Sequence, residues 1–166
     1  MKAIAAVDRK WGIGREGKLL QPIPEDMRFF KQMTWGKVVV MGRTTFTSLP
    51  GQKPLSNRVN IVLTTDLDFE REGIITCHTG AELLALVSSY PPDNVFIIGG
   101  ESVYRQFLPY CTEALITKIE QSYPADTYFG NLDKDPAWQL AAVGEPKRHQ
   151  GIEFRFCTYI NTKPKS

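Results

Sequence analysis

The chain has little of what builds metal centres or disulfide scaffolds. Its 166 residues include only three cysteines and two histidines. Cys77, Cys111 and Cys157 are odd in number and widely spaced, with no CxxC pair and no histidine-rich cluster beside them. That pattern argues against a zinc site or a disulfide framework, and predicts free thiols in a reducing, cytoplasmic setting with no metal. No apolar run approaches a membrane span, and the apolar stretch between Lys2 and Asp8 is too short for a secretory leader. Twenty basic and eighteen acidic side chains leave a net charge of +2, too little for general nucleic-acid binding through bulk charge. His-Glu-x-x-His, Gly-x-Ser-x-Gly and phosphate-loop motifs are all missing. Repeats, low-complexity tracts and linkers are missing too, so one domain covering residues 1–166 is expected.

What the chain does have is alternation. Strands are expected at Ala3–Val7, Lys37–Met41, Val59–Leu63, Ile74–Cys77, Val95–Ile98, Ala114–Ile119 and Ile152–Ile160, with a weaker one at Trp138–Val143. Val38-Val39-Val40 and Val95-Phe96-Ile97-Ile98 are continuous apolar runs, the pattern of strands buried on both faces of a parallel sheet. Helices are expected between them at Glu25–Met33, Thr44–Leu49, Ala81–Ser89 and Ser102–Phe107. The order predicts an α/β fold: a central, mostly parallel twisted sheet, an antiparallel C-terminal edge hairpin, and helices on both faces.

Gly12-Ile13-Gly14-Arg15-Glu16-Gly17 matches the G-x-G-x-x-G spacing of a dinucleotide-binding turn. That motif needs a helix opening directly out of it, and an acid about 20 residues on for the ribose. Here Pro22 and Pro24 follow, which forbid a helix, and no acid occurs from Met27 to Thr65. The segment therefore reads as a long glycine-rich loop, placed where a mobile flap over a site would lie.

The acid-free stretch itself holds six cations: Arg28, Lys31, Lys37, Arg43, Lys53 and Arg58. On charge alone it reads equally well as a solvated basic face. Arg43, however, follows Gly42 at a strand end and precedes Thr44 and Thr45, a suitable set for a phosphate dianion. Thr64 and Thr65 end the next strand. Ile98-Gly99-Gly100-Glu101-Ser102-Val103-Tyr104 gives a third strand end, where a glycine pair would let a phosphate approach the backbone, or simply make a tight turn. On the helix after Pro24, Asp26 shares a face with Phe30 and Met33. A first-turn acid ordinarily complements the helix dipole, but Glu25 is equally placed for that. A carboxylate on an apolar face must find a partner or shift its pKa, and suits a cationic edge or a proton transfer.

Taken in order, Ala3-Ile4-Ala5-Ala6-Val7-Asp8, Gly12-Ile13-Gly14, Ile23-Pro24-x-Asp26, Val40-Met41-Gly42-Arg43-x-Thr45-Phe46-x-Ser48-Leu49, Arg58-x-Asn60, Ile98-Gly99-Gly100-x-x-x-Tyr104, Leu115-Ile116-Thr117-Lys118-Ile119 and Asp126-Thr127-x-Phe129 resemble dihydrofolate reductase over nearly the whole chain. The resemblance implies NADPH-dependent reduction of 7,8-dihydrofolate by a monomer that supplies one-carbon metabolism and thymidylate synthesis. Asp26 would hold the pterin's amino-pyrimidine edge, with Thr117 hydrogen-bonded beside it, and Ile4, Ala5, Met27, Phe30 and Leu49 would wall the site. Arg58 would pair with the glutamate tail, Lys53 nearby. Gly42, Arg43, Thr44, Thr45, Leu63, Thr64, Thr65 and His78 would take the adenosine half of NADPH. Ile98, Gly99, Gly100, Glu101, Ser102, Val103 and Tyr104 would take its pyrophosphate and nicotinamide side. Ala6, Ile13, Gly14, Lys18, Leu19 and Thr127 would complete that enclosure, residues 12 to 18 forming the flap. Two departures stand out: Leu20-Gln21-Pro22 where the family usually has Leu-Pro-Trp, and Gly130 for a usual proline. The reductase of riboflavin synthesis, the nearest alternative on this fold, would need neither Arg58 nor Asp26.

Overall fold

The structure, a computed structural model, describes residues 1–166. The chain runs β1 (Lys2–Val7), β2 (Gly12–Arg15), β3 (Lys18–Leu19), α1 (Pro24–Thr34), β4 (Val38–Gly42), α2 (Arg43–Ser48), β5 (Val59–Leu63), β6 (Ile74–Cys77), α3 (Gly80–Val87) and β7 (Val95–Gly99). It continues with α4 (Glu101–Phe107), β8 (Glu113–Ile119), β9 (Thr127–Tyr128), β10 (Trp138–Val143), β11 (Lys147–His149) and β12 (Ile152–Asn161). The main sheet has the order β10-β12-β8-β1-β7-β4-β5-β6, with β11 added against β12. From β8 to β6 every pairing is parallel, while β12 pairs antiparallel with β8, β10 and β11. The expected mixed α/β sheet is present, every expected element within two residues of its bounds. No helix is long and apolar enough to cross a membrane.

The central strands feed two cores. Val38 and Val40 of β4 join the larger cluster, with Leu83 and Val87 of α3 and Val103, Tyr104 and Phe107 of α4. Val39 and Met41 join Phe46 of α2, Val62 and Phe69 on the opposite face. Alternation on a pleated strand forces this split, so a continuous valine run means a strand covered by helices on both sides. The parallel ladder brings the C-terminal ends of β4, β5 and β7 to one edge, where the chain leaves each strand for a helix or loop.

Residues 12 to 19 are not loop. They form the β2–β3 hairpin of a second sheet, ordered β3-β2-β9. Glu16 (φ 51°) and Gly17 (φ 76°) make its turn in the left-handed region that two-residue hairpins require. The other two glycines serve close approach. A Cβ on Gly12 would fall 2.7 Å from Ala125 Cβ, and one on Gly14 would fall 2.9 Å from Thr127 Oγ1. Glycine depresses strand propensity, and β3 and β9 are two residues each, so periodicity carried no signal here.

Asp8, 3% exposed, fixes where this flap leaves β1. Its carboxylate accepts backbone N–H groups from Lys10 (2.9 Å), Gly12 (2.8 Å) and Tyr123 (2.9 Å). Asp8→Ala should therefore strand three amides and lower stability by about 2–4 kcal/mol, read by urea unfolding. A loss below about 1 kcal/mol would mean that water replaces the carboxylate freely.

Candidate active site

The first turn of α1 separates two adjacent acids. Successive helical residues lie about 100° apart, so Glu25 and Asp26 cannot face the same way. Glu25 pairs with Lys147 at 3.1 Å on the surface. Asp26 turns inward to β8, where the buried Thr117 hydroxyl donates to its Oδ1 at 2.6 Å. Thr117 is positioned by the sheet, lying opposite Ala6 of β1 on one side and Phe156 of β12 on the other. The next residue, Lys118, goes elsewhere: its ammonium bonds Asp133 at 2.9 Å and the Tyr159 hydroxyl at 3.2 Å, over the Trp11 ring. Strand alternation thus keeps a neighbouring cation away from Asp26.

No cation forms an ion pair with Asp26. Burial pushes its carboxyl above the ordinary aspartate range, and the Thr117 hydrogen bond pulls it only part of the way back. A narrow cleft opens beside it, lined by Ala6, Ile13, Leu19, Leu20, Gln21, Met27 and Ile119 among others. A half-buried carboxylate with one oxygen held and no counter-charge can hold a planar cationic edge or accept a proton.

The far end of α1 carries a second charge. Thr34 donates its hydroxyl to the Phe30 carbonyl at 2.8 Å and accepts from Arg58 Nη1 at 3.1 Å. Arg58 Nε donates to the Ser56 carbonyl at 2.9 Å, and its guanidinium lies over the Trp35 ring. Partial burial lowers its pKa, yet a guanidinium stays charged at physiological pH. At 1.5 Å per residue, Asp26 and Thr34 are roughly 12 Å apart along the helix. Lys53 is exposed and makes no ion pair, folding its methylenes toward Gly51.

At the strand-end edge, Thr45, Gly99, Gly100 and Tyr104 lie together. Gly99 has φ 122°, and a Cβ there would meet the Tyr104 ring at 3.3 Å; one on Gly100 would meet Thr45 Oγ1 at 3.4 Å. The Tyr104 hydroxyl donates to the Ile4 carbonyl at 2.7 Å, joining α4 to β1. Glu101 faces the flap instead of the glycine edge: it accepts the Tyr128 N–H and pairs with Arg105 at 2.8 Å. At β5, Thr64 is buried, and His78 Nδ1 lies 2.9 Å from its carbonyl oxygen. Arg43 pairs with Asp66 at 3.0 Å. Lys18 and Leu19 are exposed on β3, and Thr127 stands on β9 against Gly14.

Residues 1–161 match the family described as dihydrofolate reductase. The chain belongs to the dihydrofolate reductase family. It is similar to the dihydrofolate reductase of Bacillus subtilis, at 34% identity over 158 residues, 94% of this chain and 91% of that protein. A dihydrofolate reductase from Enterococcus faecalis, solved with NADP(H) and RAB-propyl, matches with a TM-score of 0.86 and 34% identity over 96% of this chain and 95% of that one. Bifunctional dihydrofolate reductase-thymidylate synthase 2 of Arabidopsis thaliana is 33% identical over 99% of this chain, which spans 32% of that protein. The chain thus spans about a third of the length of the bifunctional plant relatives it matches.

Gln21, which the resemblance set apart, lies at the candidate site. It lines the cleft by Asp26, its amide donating to the Pro22 carbonyl at 3.2 Å. Four residues at or around the candidate site were given no site role by the sequence. Leu20 and Ile119 line the cleft, Asp8 anchors the flap and Asp66 occupies Arg43. Only Ile119 had a signal, its two-residue spacing from Thr117 on one strand.

Burial makes Asp26 a charge that the fold tolerates at a cost. Because its folded pKa is raised, the stability it contributes is fully present below about pH 4, the unfolded aspartate value, and is lost as pH rises through the folded value. Asp26→Asn should therefore melt at or above the parent temperature near pH 8, and the difference should disappear or reverse toward pH 4. A variant clearly less stable at pH 8 would mean that the charged form is the one the fold favours.

Proposed function

We propose that this chain reduces 7,8-dihydrofolate to 5,6,7,8-tetrahydrofolate with NADPH, as one domain of residues 1–166, a monomer working in the cytoplasm. The observation that carries this reading is the uncompensated Asp26 carboxylate, with Arg58 held at the other end of the same helix. A substrate with an amino-pyrimidine edge and a distant carboxylate complements both charges at once. Bound NADPH supplies the hydride for carbon 6. Asp26 holds the ring edge and stabilises the positive charge that grows as nitrogen 5 takes a proton from water. Thr117 fixes the carboxylate's direction, while Ile4, Ala5, Met27, Phe30 and Leu49 exclude water from the ring. Arg58, oriented by Thr34 and the Ser56 carbonyl, takes the tail carboxylate through paired charge-assisted bonds, with Lys53 adding field at longer range.

The cofactor's chemistry fits the strand-end edge. The glycine pair beside Thr45 leaves backbone open to a pyrophosphate, and the hydroxyls and guanidinium of Thr44, Thr45, Thr64 and Arg43 suit a phosphomonoester. Ala6, Ile13, Gly14 and the flap would enclose the nicotinamide.

NADPH absorbance should fall only when dihydrofolate is present, and Asp26→Asn should slow that turnover ~10²–10⁴-fold at neutral pH. Near-normal turnover in the variant would sink the assignment. Arg58→Ala should raise KM for dihydrofolate by ~10²-fold or more, with a far smaller change for a pterin lacking the glutamate tail. Equal losses on both substrates would remove Arg58 from the tail site.

A further inference from the structure

The phosphomonoester corner holds an acid as well as a base. Asp66 Oδ2 lies 3.0 Å from Arg43 Nη1, and Phe69 lies under the same guanidinium at 5.0 Å. Asp66 is itself held in place. Its N–H donates to Thr64 Oγ1 at 3.1 Å, and its Oδ1 accepts the Asp68 N–H at 3.0 Å. A turn built from Thr64 to Asp68 therefore points a carboxylate at Arg43, the cation proposed above for the phosphomonoester.

The two groups make opposite demands on a ribose. A guanidinium favours a 2′-phosphate, whereas a carboxylate accepts a free 2′-hydroxyl and repels a phosphate. We propose that Asp66 is a cofactor-specificity residue that weakens this chain's preference for NADPH and lets NADH bind through its ribose 2′-hydroxyl. The inference rests on the reading that Arg43 takes the 2′-phosphate. To bind NADPH, Arg43 must share or give up its carboxylate partner, and the phosphate dianion settles beside a negative charge. To bind NADH, Asp66 keeps Arg43 and gains a hydroxyl donor.

The test is equilibrium titration of the full chain with NADPH and with NADH, followed by quenching of protein fluorescence, in the parent and in Asp66→Asn. Asparagine keeps the Oδ1 acceptor for Asp68, and the pair is about half exposed, so the fold should survive. Thermal melts of the two proteins check this. Asp66→Asn is expected to tighten NADPH about tenfold and to weaken NADH, widening the ratio of their Kd values. An unchanged or narrower ratio, with NADPH still bound by both proteins, would overturn the role of Asp66 and leave the proposed function standing. Failure of the parent to bind either nucleotide would overturn both.

Discussion

The hydrogen bond from Thr117 to Asp26 joins the two parts of the molecule on which the candidate site depends. It ties the first turn of α1 to a strand near the middle of the sheet, and it does so without supplying a counter-charge. Two neighbouring charged side chains are committed elsewhere: Glu25 to Lys147, and Lys118 to Asp133 and Tyr159. A carboxylate left in that position is costly by itself. It becomes favourable when a ligand brings the missing positive edge, which is how a fold converts a local destabilisation into selectivity. Because α1 is rigid, its length also fixes the distance to the Arg58 corner.

The remainder of the site follows from sheet topology. Parallel strands deliver their C-terminal ends to one edge, so β4, β5 and β7 place Arg43, Thr64 and the glycine pair close together although they are far apart in sequence. The flap is built separately and pinned at several points. Asp8 holds its base, Asp126 accepts the Glu16 N–H at 2.8 Å, and Glu101 holds β9 to the start of α4. Local acids that bind backbone amides and the core packing of Trp11, Ile13 and Phe129 together set where the flap rests over the cleft.

Legibility in the sequence tracked how local each signal was. Val38-Val39-Val40 and Val95-Phe96-Ile97-Ile98 announced buried strands because alternation has nothing to alternate with when both faces are covered. Asp26 could be told from Glu25 by helical geometry alone. Its contact with Thr117 came only through resemblance, because it depends on register between elements more than ninety residues apart. The β2–β3–β9 sheet was hidden because Gly12 and Gly14 act through what they lack, making room for Ala125 and Thr127. The pairing of Arg43 with Asp66 was hidden differently. The acid lies just beyond the acid-free stretch, and only the turn after Thr64 brings it back to the end of β4.

Burial makes Asp26 resist ionisation in the free protein. The most direct measurement is a carbon NMR titration of carboxyl-labelled aspartate, with the Asp26 signal assigned by its loss in Asp26→Asn. The account predicts a titration midpoint above the ordinary aspartate value in the free protein. A midpoint at or below that value would show that a charge or solvent compensates the carboxylate already, and would contradict the account.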